Sequence, residues 1–134
     1  MNSFGVFDVS ASAMNAQRTR MNVIASNMAN SHSTRTQEGG PYRRKDVVFS
    51  SDGTGTAELS GVEVSSVVED QSPPMMVYDP GHPDADAKGY VAMPNVNMIE
   101  EMVNMMLATR AYEASVAAFN MSKGIVLKSL EIGR

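Results

Sequence analysis

The sequence predicts an α+β fold: long N- and C-terminal α-helices forming an antiparallel coiled-coil-like pair, with a small antiparallel β insert between them. Three observations carry this. Large side chains recur every seven residues near the N-terminus. A longer apolar alternation of four and three residues fills the C-terminal quarter. Between the two lie short β-branched runs separated by Gly and Pro.

The N-terminal segment, residues 1–30, holds Phe7, Met14, Met21 and Met28 one heptad apart, with Ser3, Ser10, Gln17 and Ile24 at the companion position. Small residues beside large ones let helices approach closely, although only Ile24 is apolar among the companions. Asn30 is the expected stop, because Asn tolerates the left-handed backbone that ends helices. Residues 31–95 form the expected β-rich part. Its runs are Asp46–Phe49, Val62–Val68, Met75–Tyr78 and Tyr90–Met93, bounded by turn formers such as Gly39, Gly40, Pro41, Pro73, Pro74, Pro80 and Gly81. The stretch from Ser50 to Ser60 reads as a flexible loop or hairpin tip.

Residues 96–134 form the second helical segment. Asn97 followed by Glu100 suggests a capping box, and Glu100 and Glu101 suit the positive end of the helix dipole. The seam then runs Met98, Met102, Met105, Thr109, Tyr112, Val116, Phe119, Lys123, Val126, Leu130. Gly124 is its weak point, costing about 1 kcal/mol relative to Ala. A second stripe comprises Leu107, Ala111, Ala114, Ala118, Met121 and Ile125. The first helix can cover one stripe, and the β insert is too small to sheathe the other. The second is therefore expected to pack on other subunits. An isolated pair with such seams is marginal against the entropy of ordering it. Both termini are accordingly expected to be mobile in the free subunit and to become helical on assembly.

Composition excludes several functions. The chain has 134 residues, room for about one domain, and a formal net charge of −4. The run Arg43-Arg44-Lys45 is too short to suggest nucleic-acid binding. With no Cys there are no disulfides or thiolate metal sites, and the absence of a long apolar run predicts no membrane insertion and no cleaved signal peptide. Twelve Met and no Trp fit either a Met-rich core or helix surfaces that meet non-identical neighbours, because Met packs tolerantly in both. Asp79, His82, Asp84 and Asp86 hold donor atoms for a metal, but Pro80, Gly81 and Pro83 make them a turn-rich loop where Asp is common for turn reasons. His32 reads as a solvated loop residue. No nucleophile elbow or phosphate loop accompanies the Ser, His and Asp residues, and Gly53-x-Gly55 lacks the rest of a nucleotide fingerprint. No catalytic residue, metal or cofactor is expected.

Particular segments carry a resemblance. Ala25-Ser26-Asn27-Met28-Ala29-Asn30 resembles the Asn-rich N-terminal signature of the flagellar axial proteins that build rod and hook. Pro41-Tyr42-Arg43, Val47-Val48-Phe49, Val77 to Pro83, Ala85 to Val91 and Met93-Pro94-Asn95-Val96 are similar to proximal-rod members of that family. So are Glu101 to Met105 and Arg110 to Ala114, while Ser115 stands where the family commonly has Asn.

The resemblance implies a non-enzymatic subunit of the basal-body rod, exported by the flagellar type III apparatus without a cleaved signal and located where the rod crosses the periplasm. Implied partners are further copies of itself, the rod proteins FlgB, FlgF and FlgG, and FliE. The alternative is a secreted adaptor or cap that binds one filament end without polymerising. The expected assembly interface comprises Phe7, Met14, Met21, Ile24, Asn27, Met28 and Asn30 on the first helix. On the second it comprises Met98, Met102, Met105, Leu107, Tyr112, Val116, Phe119, Met121, Ile125, Val126 and Leu130.

Overall fold

The computed structural model describes residues 3–53 and 59–133. Helix α1 spans Ser3–Ala29, strands β1 and β2 span Lys45–Ser51 and Val62–Glu69, β3 and β4 span Met75–Tyr78 and Tyr90–Met93, and helix α2 spans Met98–Ile132. Of the expected loop from Ser50 to Ser60, Ser50 and Ser51 instead continue β1, paired with Glu63 and Val62, and residues 54–58 lie outside the described residues.

The helices pack antiparallel. Phe7 meets Phe119 edge to face at 5.0 Å between ring centroids, Thr109 Oγ1 lies 3.7 Å from Met21 Sδ, and Asn27 reaches Glu101. At 1.5 Å per residue α1 is about 40 Å long and α2 about 52 Å. Asn97 caps α2, its Oδ1 accepting from the Ile99 and Glu100 backbone N–H groups at 3.0 and 3.4 Å. At the end of α1, Asn30 Nδ2 donates to Ser26 O at 2.9 Å and its Oδ1 accepts from Ser33 Oγ at 3.0 Å. The helix thus stops at the expected residue through these side-chain hydrogen bonds and not through the expected left-handed backbone, which no non-glycine residue adopts among the described residues. Ser115, mid-helix, donates to Ala111 O at 3.0 Å, so its hydroxyl is satisfied within its own helix.

The insert is two separate two-stranded antiparallel sheets. In the first, β1 and β2 both lie against α1. Ser12 on α1 fixes its edge: its hydroxyl donates to Val9 O at 2.8 Å and accepts from Val62 N at 3.1 Å. A bulge at Val48/Phe49 shifts the register, so Phe49 pairs with Val64 while Val48 pairs with Ser66. The second sheet pairs Met75 with Met93 through to Tyr78 with Tyr90. Among the described residues neither of its strands touches a helix closely. It is held at its base by Asn95, whose Oδ1 accepts from Arg44 N at 2.8 Å and whose Nδ2 donates to Asp70 O and Ser72 O.

Gly89 lets this second hairpin close. Its φ of +84° is a left-handed conformation, and an added Cβ would stand 2.9 Å from Tyr78 Cε2 and 3.2 Å from Pro80 Cβ. Gly89→Ala is expected to lower stability by about 1–3 kcal/mol, read as a drop in thermal midpoint.

The core is small. Among the described residues its buried apolar side chains are Ile24, Ala16, Ala108, Val91 and Val96, two of them alanines, with Pro94 beside them. Gln17 Oε1, at the companion position of the α1 heptad, is buried with no hydrogen-bond partner among the described residues. The seam between the helices is thus loosely specified by packing alone.

Candidate assembly interface

The most enclosed part of the molecule is polar. Asn27 and Glu101 are both fully buried, at the end of the helix pair where the chain leaves α1 and later re-enters α2. The Asn27 amide acts as a surrogate peptide group toward the first residue of β1: Nδ2 donates to Lys45 O at 2.7 Å and Oδ1 accepts from Lys45 N at 2.9 Å. The same Oδ1 accepts from Tyr42 Oη at 2.9 Å, and the same Nδ2 donates to Glu101 Oε2 at 3.0 Å. The other Glu101 oxygen accepts from Arg44 Nε at 2.6 Å, a charge-assisted bond. Arg44 extends to Asp46 at 3.2 Å. Partial burial works to lower the Arg44 pKa, but the hydrogen bond and charge of Glu101, with a smaller contribution from Asp46, outweigh it and hold the guanidinium above its usual value. One cluster therefore ties α1, the start of β1 and the first turn of α2 together.

The sequence reading placed Asn27 among the interface residues but missed Tyr42, Arg44 and Glu101. From sequence Glu101 is distinguished only by its place at the positive end of the helix dipole; it is the buried acceptor of this cluster. Arg44 stands out only as part of a short basic run. In extended chain, neighbouring side chains alternate sides, so Arg43 turns outward to Gln71 at 3.0 Å while Arg44 turns in.

The remaining expected interface residues fall into two groups. Phe7, Met14, Met21 and Met28 on α1, and Met105, Tyr112, Val116, Phe119 and Val126 on α2, are half-buried, and Ile24 is buried. Met98, Met102, Leu107, Met121, Ile125 and Leu130 are exposed, Met121 to 70%. Ile99, Val103, Met106, Leu127 and Ile132 join them, although the sequence reading did not name them as interface. Residues on a helix are about 100° apart. Met121 therefore lies roughly 200° around α2 from Phe119, on the side facing away from α1. Ile99, Val103, Leu107, Ala114, Ala118, Met121 and Ile125 together make an apolar strip along that side, interrupted by the exposed Arg110 between Leu107 and Ala114. Strips of this kind on a chain with so small a core mark contact surfaces.

The loop Asp79–Asp86 uses its polar atoms for turns. Asp86 Oδ1 accepts from Lys88 N and Tyr90 N at 2.8 and 2.9 Å. Asp84 accepts from Thr34 Oγ1 at 2.8 Å and pairs with Arg35, which ties this loop to the segment after α1. The Thr34 hydrogen bond holds the Asp84 carboxyl below its usual range; desolvation opposes it, and the charge and hydrogen bond of Arg35 add to the lowering. His82 Nδ1 accepts from Asp84 N at 3.0 Å. Among the described residues no three acidic or imidazole groups converge on a common point, and no helix is long and apolar enough to cross a membrane. His32 is exposed.

Comparison with known proteins agrees with this architecture. Residues 7–35 match the family described as "Flagella basal body rod protein", and residues 87–130 match "Flagellar basal body rod FlgEFG protein C-terminal". Each match falls mainly on one of the two helices. The chain is 49% identical over 129 residues to the flagellar basal-body rod protein FlgC of Escherichia coli O6:H1, covering 96% of each chain. It is 48% identical to FlgC of Salmonella typhimurium over the same share, and 45% identical over 150 aligned positions to FlgC of Bacillus subtilis, covering both chains fully. With paired terminal helices, a two-hairpin insert and nearly half its residues shared from end to end, the chain belongs to the FlgC family of flagellar basal-body rod proteins, a structural family and not an enzymatic one.

Proposed function

We propose that the protein polymerises helically through its terminal helices to form part of the hollow shaft that transmits torque from motor to hook. The observation that carries this reading is the exposed apolar strip on the side of α2 away from α1. It is an unmet demand for burial, and subunits stacked by heterologous contacts would meet it while generating a helical filament. In this reading residues 1–30 and 96–134 form the helical core lining the tube, and residues 31–95 form the outer part. Stiffness along the axis comes from the packed helices, and the hairpins tie neighbours together. Met-rich surfaces accommodate neighbours of differing sequence where one rod protein meets another. The partners are other copies of this chain, FlgB, FlgF, FlgG and FliE, with delivery by the flagellar type III export apparatus to the part of the rod that crosses the periplasm.

A density map of purified basal bodies tests this. The expected result is several copies on a helical lattice, with Leu107, Met121 and Ile125 covered by neighbouring subunits. A single ring in which that strip faces solvent would support a non-polymerising adaptor instead. Hydrogen exchange on the free monomer is a second check: rapid exchange is expected at both helical termini, and strong protection there would count against ordering on assembly.

A further inference from the structure

We propose that the buried Asn27–Glu101–Arg44 cluster is a register lock, which holds the helix pair in an alignment that keeps the C-terminal end of α2 away from its own α1. Three observations lead there. First, the seam is heptad-degenerate. The Phe7–Phe119 contact, extended along an antiparallel pair, sets Met14 opposite Tyr112, Met21 opposite Met105 and Met28 opposite Met98. Sliding α2 by seven residues would set Phe7 opposite Val126, Met14 opposite Phe119, Met21 opposite Tyr112 and Met28 opposite Met105. Every pairing stays apolar or aromatic, and flexible Met side chains adapt to either set.

Second, the observed register leaves apolar surface uncovered. Thirteen residues of α2 follow Phe119, but only four residues of α1 precede Phe7. About nine residues of α2, roughly 13 Å, therefore stand past the start of α1. This overhang carries Leu130, which is on the seam side and more than half exposed, with Leu127 at its flank, while Ile125 and Ile132 face away from α1. Burial by the chain itself favours the slide, which would bring Val126 and Leu130 against α1.

Third, what the slide would break is specific. It would move Glu101 about 10 Å from Asn27 and Arg44, separating a fully buried carboxylate from both of its partners. Buried polar groups are best attested as devices that select register at positions where apolar packing does not. The lock also fixes the β unit, since Asn27 and Arg44 bind the first strand and its approach. The register claim stands on this geometry alone. That the overhang is thereby kept for a neighbouring subunit rests on the proposed function.

Spin labels on the otherwise unchanged chain distinguish the two registers. The chain has no cysteine, and Asn22 and Asn120 are exposed, so Asn22→Cys with Asn120→Cys gives one labelled pair. The test variant is Arg44→Met with Glu101→Leu, which removes the charges in favour of apolar side chains and leaves Asn27 bonded to Lys45 and Tyr42. The expected result is a population with the label distance shortened by about 10 Å, absent from the parent. Adding Val126→Ser and Leu130→Ser, which removes the gain from sliding, should restore the longer distance. A variant that keeps only the parent distance overturns the proposal. So does a broad distribution with loss of helical circular dichroism, because the cluster would then supply stability and not register. The readout is a distance within one subunit, so a failure of rod assembly leaves it unaffected.

Discussion

Replacing Arg44 with alanine is expected to lower the unfolding free energy by about 3–5 kcal/mol, a large part of the stability of a domain this size. The reason is what the change leaves behind. Glu101 is fully buried, and without Arg44 its charge would keep only the Asn27 amide as a partner. Removing the other partner should cost less, about 1–3 kcal/mol for Glu101→Ala. Arg44 still reaches solvent and retains Asp46. Asn27→Ala should fall near the larger figure, because it abandons four hydrogen bonds at once, two of them to the Lys45 backbone. Urea unfolding followed by far-ultraviolet circular dichroism measures all three. If Glu101→Ala proves more damaging than Arg44→Ala, the carboxylate is not the group whose burial sets the energetics, and the cluster would need a different explanation.

This asymmetry also shows why part of the molecule was legible in sequence and part was not. The helices were readable because Phe7, Met14, Met21 and Met28 announce a period that only a helix satisfies, and α1 and α2 begin and end within a residue or two of the expected positions. All four strands were readable for a similar reason: β-branched or aromatic runs stand between Gly, Pro and Asp turns, and their periods and boundaries are local properties. The polar cluster is not local. Residues 27, 42, 44, 45 and 101 come from three elements, and nothing in the spacing of Glu101 distinguishes it from Glu100, which is exposed. Which of two adjacent carboxylates turns inward depends on where α1 lies, and no window of sequence contains that. Arg43 and Arg44 pose the same problem in a strand approach. A partial signal existed in Asn27, which follows the apolar Ile24 by one helical turn, but Ser26 and Asn30 beside it make its burial no more evident than theirs. The division of the seams was legible in kind but not in extent. Two stripes on α2 are present, yet the structure leaves exposed most of the second stripe and both ends of the first; at the C-terminal end this is because α2 runs past the start of α1.

Introducing a charge on the outward strip of α2 should separate stability from assembly more sharply than any change in the seam. Ile125→Asp and Met121→Asp each replace a side chain that is more than half exposed in the free subunit. The folded monomer loses little by the change, and its unfolding free energy should shift by no more than about 0.5 kcal/mol. In a filament where the same position is enclosed by a neighbour, an unpaired carboxylate would have to be desolvated without a partner. Repeated in every subunit, that penalty should abolish rod completion. The expected phenotype is a stable, expressed protein in non-motile cells that lack hooks. Asn120→Asp is the matched control. It introduces the same charge at an exposed position one residue away from Met121, about 100° around the helix and off the strip, and should leave swimming intact. Phe119→Ala gives the opposite pattern, because it removes the ring that meets Phe7 edge to face and weakens the monomer before assembly is reached. Normal motility with Ile125→Asp and Met121→Asp combined would mean that this strip stays in water in the finished rod, and the helical-core reading of the subunit would fall with it.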